Sequence, residues 1–196
     1  MCSRFELTSN PRDLARRFGL ADSPPLPNRA EIRPTNQALV VRRAGLGELM
    51  PWGLKPEWSS KPLINARAET LAEKRTFMPL LENRCLVPAS AYFEWRTADD
   101  GKKLKNRIAA EGAPLLAFAG LHDGEAFTIV TCRPAPAIAH IHDRMPVILD
   151  AGAEEEWLDA SRPFADVAPL LIPYASTPLT ATEDTPPPPA QSDLFG

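Results

Sequence analysis

Apolar residues in this chain come in short runs separated by proline, glycine and charged residues. Leu14 and Phe18 recur at helical spacing behind Asn10-Pro11 and Asp13, and Gly19 follows. An Asn cap, Pro at the first helical position, an acid in the first turn and a closing Gly predict a helix over 11–18. Residues 37–43, 85–87, 91–95, 115–121, 126–131 and 145–149 read as strands, with Asp123-Gly124 as a hairpin turn. Residues 66–75 read as a helix with Glu, Lys and Arg outward, and 154–158 and 164–171 also look helical. Residues 21–36 are rich in Pro and polar residues and read as loop; 50–65 hold three prolines and two tryptophans and read as ordered but irregular. Many short strands and few short helices predict an α+β single domain, with a strongly bent, barrel-like, mostly antiparallel β core surrounded by short helices. No repeat, βαβ series or Gly-rich phosphate loop is present. The domain is expected over 2–178, with a Pro-rich flexible tail over 179–196.

Composition narrows the class. At 44% hydrophobic and 24% charged, the chain can bury a core. It has no apolar run long enough for a membrane span and no basic-then-apolar leader, so a cytoplasmic protein and a monomer are expected, with no membrane partner. Cys2, Cys85 and Cys132 form no CxxC pair, which argues against a disulfide framework or a zinc ribbon. The net charge of −3 is uneven: residues 1–150 carry 21 Lys/Arg against 17 Asp/Glu, and 151–196 carry one against eight. A mildly basic body permits nucleic-acid binding without demanding it.

The candidate chemistry begins at Cys2. An initiator Met before a small residue is normally removed, and the new terminus would pair an α-amine with a thiol on adjacent carbons. Such an aminothiol condenses with an aldehyde to an imine and closes to a thiazolidine, or serves as an N-terminal nucleophile; a frayed terminal cysteine is the plain alternative. Asn65 stands where a helix cap would, and Arg67 is either a helix-face charge or a phosphate fork. Glu94 lies among aromatics in Tyr92-Phe93-Glu94-Trp95; alternation turns it outward to solvent, or inward where an apolar wall would raise its pKa. His140 and His142 share a face if extended, but no further ligands are evident, so neither a metal nor any other cofactor is expected. His142, beside Asp143 and Arg144, is a proton-transfer candidate.

Several strings together resemble the SOS response-associated peptidase (SRAP) family: Cys2-Ser3-Arg4-Phe5, Trp52-Gly53-Leu54 with Pro56 and Trp58, and Ile64-Asn65-Ala66-Arg67-Ala68-Glu69-Thr70. Arg84-Cys85-Leu86-Val87-Pro88-Ala89, Phe93-Glu94-Trp95, Phe118-Ala119-Gly120-Leu121, Phe127-Thr128-Ile129-Val130-Thr131 and Ile141-His142-Asp143-Arg144-Met145-Pro146 follow in the family's order. The resemblance implies a sensor of abasic sites in single-stranded DNA that forms a covalent thiazolidine cross-link through Cys2. It implies Glu94 as acid/base, His142 as the partner that protonates or holds the sugar oxygen, and Asn65 as the residue that positions Cys2 and the lesion. Arg4 and Arg67 would contact phosphates, Trp52 and Trp58 would support bases, and Thr131 would line the pocket. Weak abasic-site lyase and autoproteolytic activity are also implied. Three departures stand out: Ser3 where Gly is usual, Glu31 near an expected DNA path, and His122 where Trp often follows Gly-Leu.

The tail residues Gln191, Leu194 and Phe195 resemble a short bacterial sliding-clamp-binding peptide on a polyproline spacer. Two other functions fit the same residues: an N-terminal-nucleophile peptidase or amidase, and a non-covalent single-strand DNA-binding module.

Overall fold

The computed structural model describes residues 2–21, 29–43 and 45–184. The 22–28 part of the expected loop and the clamp-binding residues Gln191, Leu194 and Phe195 lie outside the described residues. In chain order the elements are β1 (Phe5–Leu7), α1 (Pro11–Phe18), β2 (Arg29–Ile32), β3 (Gln37–Arg43), β4 (Leu46–Pro51), β5 (Asn65–Arg67), β6 (Arg84–Ala89), β7 (Ala91–Thr97), β8 (Lys103–Ala110), β9 (Leu116–His122), β10 (Phe127–Cys132), β11 (Met145–Pro146), β12 (Ile148–Leu149), α2 (Ala151–Leu158), α3 (Phe164–Val167) and β13 (Leu179–Glu183). Short 3-10 turns punctuate them.

The strands form two sheets. One runs β13-β8-β7-β1-β2, and the other β11-β10-β9-β6-β3-β4, with β12 on β9 and β5 on β10. Pairing is antiparallel except for β5 and β10. The mostly antiparallel α+β core is as expected, and its sheets do not close into a barrel: the five-stranded sheet keeps its edges at β13 and β2. A shared aromatic core ties the two together. Phe5 of β1 meets Trp52 at 5.1 Å and Phe118 at 6.0 Å, Tyr92 meets Phe118 at 6.0 Å, and Trp52 stacks on Phe127 at 6.5 Å. Such ring pairs add to the area they bury.

Helix α1 forms where its local signals place it. Asn10 accepts the Asp13 N–H at 2.9 Å, Leu14 and Phe18 are buried, and Gly19 ends the helix in the left-handed region at φ 59°. Gly53 has no such latitude. At φ 125°, a Cβ there would lie 2.6 Å from Pro62 Cβ, so the turn after Trp52 requires glycine.

The expected helix over 66–75 is absent. Asn65–Arg67 pairs in parallel with Ile129, Val130 and Thr131, and a single 3-10 turn follows at Ala68–Thr70. The strand inserts Ala66 into the core, and tertiary pairing overrides the local helix preference. The folded body also passes the expected boundary at residue 178. Leu179–Glu183 adds an edge strand to β8 from Ala110 back to Asn106. The single strand expected at 145–149 is two, because Val147 donates to Val130 O while its own carbonyl accepts from Ala119.

Candidate active site

Three distant segments converge on the segment that carries Cys2. The residue precedes β1, is fully buried, and its carbonyl accepts the Asn65 Nδ2–H at 2.8 Å. Its Sγ lies 3.5 Å from Arg4 O. Burial, and then the charge of Glu94, push the Cys2 pKa well above the ordinary thiol value, so the group is held as a thiol. Asn65 reaches Cys2 from β5, not from a helix start. Its Oδ1 is buried and has no hydrogen-bond partner among the described residues.

Glu94 lies on β7 and is 2% exposed, so the strand turns it inward. Burial drives its pKa up to about 7 from an ordinary 4.5, and Asp143 pushes the same way. A carboxyl poised near neutrality can both take and give a proton. His142 Nε2 lies 3.7 Å from Glu94 Oε2, close enough for charge to be felt but longer than a hydrogen bond.

The other side of the His142 ring carries two partners. Nδ1 accepts the Arg144 N–H at 3.0 Å and lies 2.8 Å from Asp143 Oδ1. One nitrogen cannot accept and donate at once, so the two contacts belong to two charge states. The neutral ring accepts from Arg144 and carries its proton on Nε2, toward Glu94. The imidazolium donates Nδ1–H to Asp143. Burial lowers the His142 pKa below its ordinary value, which favours the neutral form.

In the sequence, Arg144 and Glu69 carry no signal of a site role beyond the strings that contain them. Arg144 makes a bidentate pair with Glu69 at 2.7 and 2.9 Å, and donates to Thr131 O at 2.6 Å and Oγ1 at 3.2 Å. The Arg144 hydrogen bonds hold the Glu69 pKa below the usual carboxylate range. This network fixes the 142–144 segment to β10.

Two expected DNA contacts do not suit DNA. Trp52 is fully buried, and its Nε1–H is spent on Ile64 O at 2.8 Å, so it cannot support a base. Thr131 is also fully buried, with its hydroxyl donating to Ala66 O at 3.4 Å; it braces the site from behind and does not line it. Trp58 is 70% exposed and Arg67 is exposed. Arg4 is partly buried against Glu31 at 3.1 Å. Among the described residues, no group of three or more His, Cys, Asp or Glu is arranged to hold a metal ion, and no helix is long and apolar enough to cross a membrane.

Fold and site together define a two-sheet α+β protein with a cysteine thiol enclosed beside a carboxyl–imidazole pair. The model of the SOS response associated peptidase (SRAP) family matches residues 1–184, and the chain belongs to that family. It is 36% identical to the abasic site processing protein YoqW of Bacillus subtilis, over 92% of this chain and 91% of that one. It is 37% identical to the abasic site processing protein YedK of Escherichia coli, over 55% and 52% respectively. A solved protein from Bordetella bronchiseptica superposes with a TM-score of 0.81 at 27% identity, over 94% of this chain and all of that one. Another from Bacteroides thetaiotaomicron also gives 0.81, at 25% identity over 93% and 91%.

Proposed function

We propose that this protein senses abasic sites in single-stranded DNA and captures them through Cys2 as the mature N-terminus. The observation that carries the reading is the meeting of Cys2 with Asn65, Glu94 and His142. A buried thiol, an amide donor, a carboxyl titrating near 7 and a neutral imidazole come from four separate parts of the chain. The names of the relatives, abasic site processing proteins, supply the substrate class.

An abasic sugar is mostly a closed hemiacetal. Opening it needs a base on the anomeric hydroxyl and an acid on the ring oxygen. Glu94 in its ionised form takes the hydroxyl proton. His142 Nε2–H hydrogen-bonds the ring oxygen as it leaves, and the proton held by Glu94 is returned to that oxygen, so both side chains end as they began. The Cys2 amine then adds to the aldehyde carbon, and the carbinolamine loses water to give an imine. Asn65 holds the Cys2 carbonyl throughout, and its open Oδ1 suits an amine or hydroxyl hydrogen. The thiol finally adds across the carbon–nitrogen bond: sulfur bonds to carbon, and the thiol proton goes to nitrogen by way of Glu94. The balance is one water lost and a five-membered ring formed. Ring closure diverts an imine that could otherwise eliminate the 3′ phosphate, so a lyase side reaction should be weak.

The Met-free protein, incubated with a single-stranded oligonucleotide bearing an abasic site and run on a denaturing gel, tests the reading. A retarded band that Cys2→Ala abolishes supports it. Peptide hydrolysis without an adduct would support an N-terminal-nucleophile peptidase instead, and a shift in native gels alone would support non-covalent binding.

A further inference from the structure

The outer face of the five-stranded sheet carries a cluster that the cross-linking chemistry does not use. Glu31 on β2 gathers three cations from three parts of the chain. Its Oε1 takes Arg4 Nε at 3.1 Å and Arg33 Nε at 2.6 Å, and its Oε2 takes Lys105 Nζ at 3.0 Å. Two of the three cations lie over aromatic rings. The Arg4 guanidinium lies 6.0 Å from the Trp95 ring centre, and Lys105 Nζ lies 4.1 Å from that of Phe93. Arg4 Nη1 also donates to Ser3 O at 2.8 Å. Burial works against ionising Glu31, but Lys105 and Arg33 hold its pKa below the usual range, so the carboxylate is charged. Asp184 at 2.9 Å shares Lys105, and the Glu6–Arg107 pair flanks the same depression of about 350 Å³.

The cluster is continuous with the candidate active site. Arg4 is two residues from Cys2, and its carbonyl accepts the Phe93 N–H at 2.9 Å. Phe93 and Trp95 flank Glu94 on β7, so one strand presents the acid on one side and the aromatic floor on the other. Two oxygens serving two guanidinium nitrogens and an ammonium reproduce what the non-bridging oxygens of a phosphodiester would offer.

We propose that Arg4, Arg33 and Lys105 form a phosphodiester-binding site for the strand beside the lesion, and that Glu31 occupies this site in the free protein as a stand-in for the phosphate. The inference rests on single-stranded DNA as the ligand of the neighbouring site. An attached competitor acts at a high effective concentration, so Glu31 weakens binding of ordinary single strands. A strand anchored at Cys2 would stay at high local concentration and displace it. The glutamate at this position then serves discrimination between anchored and unanchored strands.

Binding of a lesion-free oligonucleotide, followed by fluorescence anisotropy across a salt series, tests this independently of cross-linking. Glu31→Gln should bind roughly threefold to tenfold tighter at low salt, with a salt slope steeper by about 0.7, the increment for one added phosphate on a single strand. The gain should vanish when Arg33→Gln and Lys105→Gln are added. In the Glu31→Gln background, Lys105→Gln alone should weaken binding and flatten the slope. Unchanged affinity and slope in Glu31→Gln, or an undiminished gain in the triple variant, would overturn the proposal. So would a slope that Lys105→Gln does not flatten in the Glu31→Gln background. An absent adduct on abasic DNA would bear on the cross-linking reading and leave these outcomes intact.

Discussion

Glu94→Gln should slow adduct formation severely and stabilise the protein at the same time. The carboxyl is buried, and its pKa is driven to about 7 from an ordinary 4.5. A group whose folded pKa is raised favours the folded state fully below the unfolded value, and that contribution is lost as pH rises through the folded value. Glu94 therefore weakens folding progressively from pH 4.5 to 7, by about 3 kcal/mol in all at 1.36 kcal/mol per tenfold change in acidity. Glutamine has nearly the same volume and no such titration. Its amide carries its own desolvation cost, so the pH dependence of the difference is the diagnostic quantity. Urea unfolding of both proteins at pH 5 and pH 8 should show the variant gaining about 2.5 kcal/mol relative to the natural protein between the two conditions. For a chain of this length that is roughly 5–10 °C in Tm. A stability difference that is constant across this range would refute the claim that Glu94 is a carboxyl held near neutrality by burial.

Four further outcomes follow. Asn65→Ala removes the donor to the Cys2 carbonyl; a loss of about 1–3 kcal/mol would slow adduct formation about tenfold to a hundredfold in single-turnover assays, with single-strand affinity little changed. Trp52→Ala should cost about 3–5 kcal/mol in denaturant unfolding, whereas Trp58→Ala should leave stability intact and weaken oligonucleotide binding by about 1–3 kcal/mol. The two substitutions would behave alike if both tryptophans served the DNA. Asp143→Asn removes the charge that raises the His142 pKa, so nitrogen-15 NMR of the ring should show a still lower value, with the neutral proton on Nε2. Finally, the rate of adduct formation should rise with pH through about 7 as Glu94 ionises, and Glu94→Gln should flatten that limb.

How far the molecule is legible in its sequence depends on how local the determining forces are. Helix α1 is fully readable because Asn10, Pro11, Asp13 and Gly19 act within one turn of their own backbone. The central strands β6, β7, β9 and β10 are readable because both faces are buried and the chain is correspondingly apolar. The same logic fails for β5, which looks helical in composition and becomes a strand only because β10 offers it a partner. Polar β8 and β13 pair at an edge and resemble surface or tail. The site divides similarly. Alternation alone left Glu94 facing either way, and its burial against the core decides the question. Trp52 and Trp58 have similar local surroundings, and only the stacking on Phe127 and the edge-on contact with Phe5 separate a core ring from an exposed one. Asn65 has an equally good local role as a cap, and its bond to Cys2 spans 63 residues.

The most direct measurement is the intact mass of the Met-free protein after reaction with an abasic single-stranded oligonucleotide, without borohydride. The account predicts a species equal to protein plus DNA minus one water, absent from Cys2→Ala and from protein that retains Met1. An adduct that appears only after reduction, or that survives Cys2→Ala unchanged, would contradict ring closure by the Cys2 aminothiol.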